Sequence, residues 1–165
     1  MKQSTMPTEI ERKFLVTSER WRSGASGRRV TQGYLSRDPD RTVRVRIVGN
    51  DAFMTVKGCT TGISRTEIEF PISRDDAEAM MQLCILPLID KTRYEVNYDG
   101  MVWEIDEFHG QNEGLIIAEI ELPSDDTAIM LPDWTGLEVS DDYRYANSSL
   151  SEFPFRKWPS GKNHP

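Results

Sequence analysis

Glu9-Ile10-Glu11-Arg12-Lys13-Phe14 is the stretch from which the fold can be read. Side chains of an extended chain point alternately to opposite faces, so Glu9, Glu11 and Lys13 share one face and Ile10 and Phe14 the other. The same period of two returns in segments near 9–16, 29–36, 42–48, 52–57, 65–72, 90–98, 101–108 and 115–122, with turn residues between them. Asp99-Gly100 joins two of these segments and suits a hairpin turn, which needs positive φ. Repeated short alternating runs of this kind predict a mainly β (α+β) protein with an antiparallel sheet.

The charged face carries like signs at i, i+2: Glu9/Glu11, Arg44/Arg46, Glu67/Glu69, Lys91/Arg93, Glu104/Asp106 and Glu119/Glu121. A single solvated sheet face would account for any one strand. For the whole set it accounts poorly, because an exposed face mixes signs and neutral polar residues, and like charges side by side repel. Closing the sheet into a barrel places these groups around a lumen and turns the apolar face outward, under helices. Such a lumen suits a polyanion bridged by a divalent metal. Arginine and lysine take phosphoryl oxygens, and carboxylates supply the hard oxygen ligands that Mg²⁺ or Mn²⁺ prefers.

Outside the strands, Ser73 reads as a helix cap, and Ala77, Met80, Met81 and Cys84 fall on one apolar stripe of the helix that follows, which is expected on the outside of the sheet. A short helix is predicted over 141–150, and 153–165 reads as a tail. His109 and His164 are expected at exposed positions, Cys59 in a loop and Cys84 in the core. With only two cysteines, neither a disulfide framework nor a thiolate zinc site can form.

The 165 residues suit a single domain over 1–165. Lys+Arg number 20 against Asp+Glu 27, and the net charge of −7 argues against nucleic acid or an anionic membrane as a partner. The longest apolar stretch, 79–89, is interrupted by Gln82 and Pro87 and falls well short of the roughly 20 residues of a membrane span. No secretory pattern opens the chain, so the expected place of action is the cytoplasm. A homodimer stays open.

Glu9-x-Glu11-x-Lys13 resembles the signature near the N-terminus of the CYTH superfamily, the triphosphate tunnel metalloenzymes. An ordered series supports the likeness: Gln32-Gly33-Tyr34, Arg44-x-Arg46, Thr55-Val56-Lys57, Glu67-x-Glu69, Lys91-Thr92-Arg93-Tyr94, Glu104-x-Asp106, Glu119-x-Glu121 and Asp142-x-Arg144-Tyr145. It covers roughly 7–150 and is closest to compact bacterial members. The resemblance implies an eight-stranded antiparallel β-tunnel, flanked by a few helices, that binds a triphosphate. It implies Glu9, Glu11, Glu119 and Glu121 as metal carboxylates and Lys13, Arg44, Arg46, Lys57, Lys91, Arg93 and Arg144 as the triphosphate clamp. Glu67, Glu69, Glu104 and Asp106 are implied as second-metal or water-orienting groups which, with Lys13, act in catalysis. The implied activity is metal-dependent hydrolysis of a triphosphate, inorganic tripolyphosphate first. A class IV adenylyl cyclase and a non-catalytic polyphosphate- or nucleotide-binding module are the alternatives. The sequence departs from the family pattern near the C-terminus, where 143–148 carries one basic residue, Arg144.

Overall fold

The computed structural model of the protein describes residues 7–159; His164 and the end of the expected tail lie outside them. Nine strands form: β1 (Thr8–Val16), β2 (Gly27–Ser36), β3 (Arg41–Val48), β4 (Asp51–Thr61), β5 (Ser64–Ile72), β6 (Ile85–Tyr98), β7 (Met101–Phe108), β8 (Ile116–Glu121) and β9 (Thr135–Glu138). Helix α1 (Arg74–Met81) follows β5, and α2 (Asn147–Glu152) lies near the C-terminus. The sheet runs β5-β4-β3-β2-β6-β7-β8-β1, antiparallel throughout, and closes because β1 also pairs with β5. The expected eight-stranded barrel is therefore present.

Closure depends on β1 using both edges. Glu11–Leu15 pair with β8, in the register Glu11↔Glu121 and Lys13↔Glu119. On the opposite edge Thr8–Ile10 pair with β5, and further along the same edge β9 pairs with Phe14 and Val16. The β9 strand escaped sequence reading because Thr135-Gly136-Leu137-Glu138 has no alternating run to betray it. At the β6–β7 hairpin, Asp99 and Gly100 take φ of 51° and 75°, the left-handed conformation that an Asp-Gly turn tolerates.

Among the described residues the apolar outer face is covered by helix in one sector only, which corrects the expectation. Over β2–β4, Ala77 and Met81 of α1, with Cys84 just beyond it, pack on Val45 and Ala52. Ser73 caps α1 by accepting from the Asp76 N–H at 3.0 Å. Gly33 permits this approach, since a Cβ there would stand 2.7 Å from the Cys84 sulfur. Over β1 and β6–β8 the cover is instead two tryptophan-bearing connections. Trp21, from the 3-10 turn Arg20–Arg22, and Trp134 pack among Phe14, Trp103, Ile105 and Ile120, with the Trp103 and Trp134 rings edge to face at 5.5 Å.

A further apolar cluster fills one end of the barrel. The inward-facing Ile89, Phe108 and Ile117 meet Val139, Tyr145, Leu150 and Trp158. Thus 153–158 is not the free tail expected: the 3-10 turn Phe155–Lys157 seats Trp158 against Tyr145 at 5.1 Å. The predicted helix over 141–150 starts later. Asp142 caps a single 3-10 turn, Tyr143–Tyr145, and Ala146 is extended (φ −66°, ψ 138°), so α2 begins at Asn147. Cys59 lies within strand β4, in the irregularity between Lys57 and Thr60, and is exposed. His109 is half-buried rather than exposed, its Nε2 2.8 Å from the Thr92 hydroxyl.

Candidate active site

The alternation carries every like-charged pair into the lumen, where strands of opposite sign face each other. In the innermost layer, next to the apolar end, Lys91 is 1% and Asp106 0% exposed. Lys91 Nζ donates to Asp106 at 2.6 Å and to the Asn147 side-chain oxygen of α2 at 3.1 Å. Arg93 grips the same carboxylate through Nε and Nη2, both at 2.7 Å, reaches Glu119 at 3.2 Å and pairs with Glu104. Lys13 sits between Glu11 at 2.7 Å and Glu119 at 2.9 Å.

These pairings set the titrations. Burial pulls the Lys91 ammonium down to about 8 although Asp106 opposes it. Burial works on Lys13 in the same direction, but Glu11 and Glu119 outweigh it and raise its pKa. Burial would raise Glu119, yet Lys13, Arg93 and Lys91 hold it well below the usual carboxylate range. Burial raises Glu104.

The wall made by β3, β4 and β5 is less evenly matched. Arg46 meets Glu69 at 3.1 Å, and Arg44 meets the same carboxylate at 3.4 Å and the Thr55 hydroxyl at 3.2 Å. Thr55 itself donates to Glu69 at 2.7 Å. One carboxylate is thus shared by two guanidiniums, and Nε of Arg44, Arg46 and the nearby Arg65 is buried with no hydrogen-bond partner. Burial lowers Arg46, and Arg44 and Arg93 push the same way. Lys57 stands between Glu9 at 2.8 Å and Glu67 at 2.7 Å. Burial and the hydrogen bond to Glu67 raise Glu9.

The carboxylates meant for metal divide into two kinds. Glu9, Glu11 and Glu119 are engaged by lysines, and among the described residues no three acidic or metal-ligating side chains already converge as a metal site. Glu121 makes no ion pair among those residues and is exposed. Burial and the charges of Glu9 and Glu11 raise it. Negative charge is therefore in excess where Glu9, Glu11 and Glu121 gather, and that donor set of hard oxygens fits a divalent cation.

A cavity of about 330 Å³ opens beside this cluster, lined among others by Glu11, Lys13, Tyr34, Arg44, Lys57, Arg65 and residues 140–143 and 146–148. All the expected site residues meet in the barrel except Arg144. Its guanidinium pairs with Asp142 and lies 5.2 Å over the Trp158 ring, outside the wall of this cavity. Sequence reasoning missed Arg65, Tyr34, Gln32 and Asn147 as lumen residues. Arg65 was recoverable, being two positions before Glu67 on one strand, and Gln32 and Tyr34 share a face of β2, where Gln32 Nε2 donates to the Tyr34 hydroxyl at 3.2 Å. Asn147 had no such signal, since its position depends on how the C-terminal segment folds back.

Residues 7–153 match the CYTH domain family. The chain is similar to the inorganic triphosphatase of Acetivibrio thermocellus, 46% identical over 154 residues that span 93% of this chain and 99% of that protein. It is also similar to the inorganic triphosphatase of Nitrosomonas europaea, 37% identical over 149 residues, 87% of this chain and 97% of that protein. Among solved structures, a crystal structure of an inorganic triphosphatase superposes with a TM-score of 0.62 at 33% identity, over 87% of this chain and 97% of the other. With its closed eight-stranded barrel and its inward rows of paired charges, the chain belongs to the CYTH domain family.

Proposed function

We propose that the protein is a divalent-metal-dependent triphosphatase that cleaves a phosphoanhydride bond of inorganic tripolyphosphate inside the barrel. The observation that carries this reading is the mismatch across the lumen: guanidinium Nε groups of Arg44 and Arg46 are buried without acceptors, while Glu9, Glu11 and Glu121 crowd together. The first set is short of anions and the second of cations, and a metal triphosphate supplies both. Two relatives named inorganic triphosphatase, similar over nearly their whole length, support the same substrate class.

In this reading Lys13, Arg44, Arg46, Lys57, Lys91 and Arg93 hold the phosphoryl oxygens. Lys13 and Lys57 exchange their present carboxylate partners for the substrate, which frees Glu9, Glu11 and Glu119 as candidate ligands beside Glu121. Bound Mg²⁺ or Mn²⁺ supplies charge neutralisation at the phosphoryl oxygens. Glu67, Glu69, Glu104 and Asp106 orient the clamp and the attacking water, and the arginines stabilise charge as it develops in line. Arg144 is left out of the clamp on account of its pairing with Asp142. A cytoplasmic setting accords with the two free cysteines. Among the described residues no helix is long and apolar enough to cross a membrane.

The test is orthophosphate release from tripolyphosphate with Mg²⁺, Mn²⁺ or excess chelator, alongside ATP with cyclic AMP measured. Metal-dependent orthophosphate from tripolyphosphate is expected. Full turnover in chelator, or cyclic AMP as the main product from ATP, would refute the reading.

A further inference from the structure

Of the cations that line the lumen cavity, Lys13, Arg44 and Lys57 each hold a carboxylate. Arg65 holds none among the described residues. Its Nη2 donates to the Gly58 carbonyl at 2.8 Å, within the irregularity of β4, and to the Thr42 hydroxyl at 3.5 Å, and its Nε is buried with no partner. A half-buried guanidinium whose Nε reaches neither water nor an acceptor carries unmet hydrogen-bonding capacity, and one held by a backbone carbonyl has donors left for whatever occupies the cavity.

Arg65 is also a partition. A second cavity, of about 1030 Å³, lies on its far side, and the two share Thr42, Thr60, Arg65, Tyr143, Ala146 and Ser148 in their walls. Asp38, Asp40 and Glu152 line that second space together with Arg37 and Arg144, so its charges are mixed, and its Arg144 is already paired with Asp142. An anionic chain end in the lumen therefore meets a cation, Arg65, at the boundary between the two spaces.

We propose that Arg65 is a substrate-contacting and specificity-determining residue: it binds the free terminal phosphoryl group of the triphosphate and closes the lumen cavity against substrates that carry an organic group at that end. This rests on the triphosphatase reading and adds to it the residue that measures the substrate's length. Because Arg65 holds no carboxylate, shortening it orphans no buried anion, and the variant is expected to fold.

The experiment compares wild type, Arg65→Ala and Arg65→Lys, with tripolyphosphate and ATP as substrates and calorimetric binding of tripolyphosphate with Mg²⁺ as a parallel readout. For Arg65→Ala, KM and Kd for tripolyphosphate are expected to rise about tenfold, the loss of one charge-assisted contact, with kcat within about threefold. The ratio of kcat/KM for ATP to that for tripolyphosphate should rise about tenfold as the partition opens. Arg65→Lys should restore most of the tripolyphosphate affinity while leaving the cavities separate. Unchanged KM and Kd in Arg65→Ala, or an equal fall for both substrates, would overturn the proposal. If wild type binds tripolyphosphate without hydrolysing it, the triphosphatase reading fails while the Kd ratio still judges Arg65. No binding by wild type overturns both.

Discussion

The two walls of the lumen are built by one sequence device and use it differently. On β6–β8, Lys91, Arg93, Asp106 and Glu119 satisfy one another at 2.6–3.2 Å, with Lys91, Asp106 and Glu119 buried. On β3–β5, Arg44 and Arg46 share the single carboxylate of Glu69, and their Nε groups have no acceptor. A saturated network of buried charges holds a shape, because removing one member strands the others at full desolvation cost. An unsaturated one stores unmet hydrogen-bonding capacity that a ligand can use. The first wall therefore serves as the frame of the site, presenting Lys91 and Arg93 to the substrate from a fixed network, and the second as its unsaturated receptor.

The largest expected effect falls on the frame. Asp106→Ala leaves Lys91 and Arg93 buried beside an empty position and is expected to cost about 3–5 kcal/mol of stability. That corresponds to a fall in Tm on the order of 10 °C, which thermal unfolding followed by circular dichroism will read. A Tm within a degree or two of wild type would erase the distinction between the walls.

Arg46→Ala is the mirror case. Glu69 keeps Arg44 and Thr55, so Tm should move little, while kcat/KM for tripolyphosphate should drop about 10²–10³-fold, as for loss of a preorganised donor at developing charge. Glu11→Gln is expected to reduce kcat by a similar factor at limiting metal and to recover in part at high metal. Steady-state kinetics across a metal titration will check both.

A smaller effect sharpens the comparison through pH. Folding lowers the Lys91 pKa from the ordinary 10.5 to about 8. The unfolded chain therefore binds more protons between pH 8 and 10.5, and this residue's contribution to stability rises with pH through that window. Denaturant unfolding at pH 7.5 and 10 should show this gain for wild type and lose it in Lys91→Met. An equal pH dependence in both would remove Lys91 from the account.

Much of this division was open to inspection in the sequence, and its limits have physical causes. Period-two alternation with like charges at i, i+2 exposes the lumen face of each strand, because side-chain direction is a local property of extended chain. The repulsion read from those pairs is offset by registry, however: Arg93 lies opposite Asp106, and Lys57 opposite Glu67. Pairing between strands is not written in either strand alone. Covering the outer face with Trp21 and Trp134, recruiting Trp158 to the barrel end and turning Arg144 away toward Asp142 all depend on how irregular segments fold back. No periodic pattern announces such segments.

The central claim is that the half-satisfied wall awaits a triphosphate inside the barrel. The most direct measurement is a crystal structure of the protein with tripolyphosphate and Mg²⁺ under conditions of slow turnover. The account predicts phosphoryl oxygens within hydrogen-bond distance of Arg44, Arg46 and Arg93, with the cation among Glu9, Glu11 and Glu121. A triphosphate bound outside the barrel, with the Arg44–Glu69 and Lys57–Glu9 pairs intact, would contradict it.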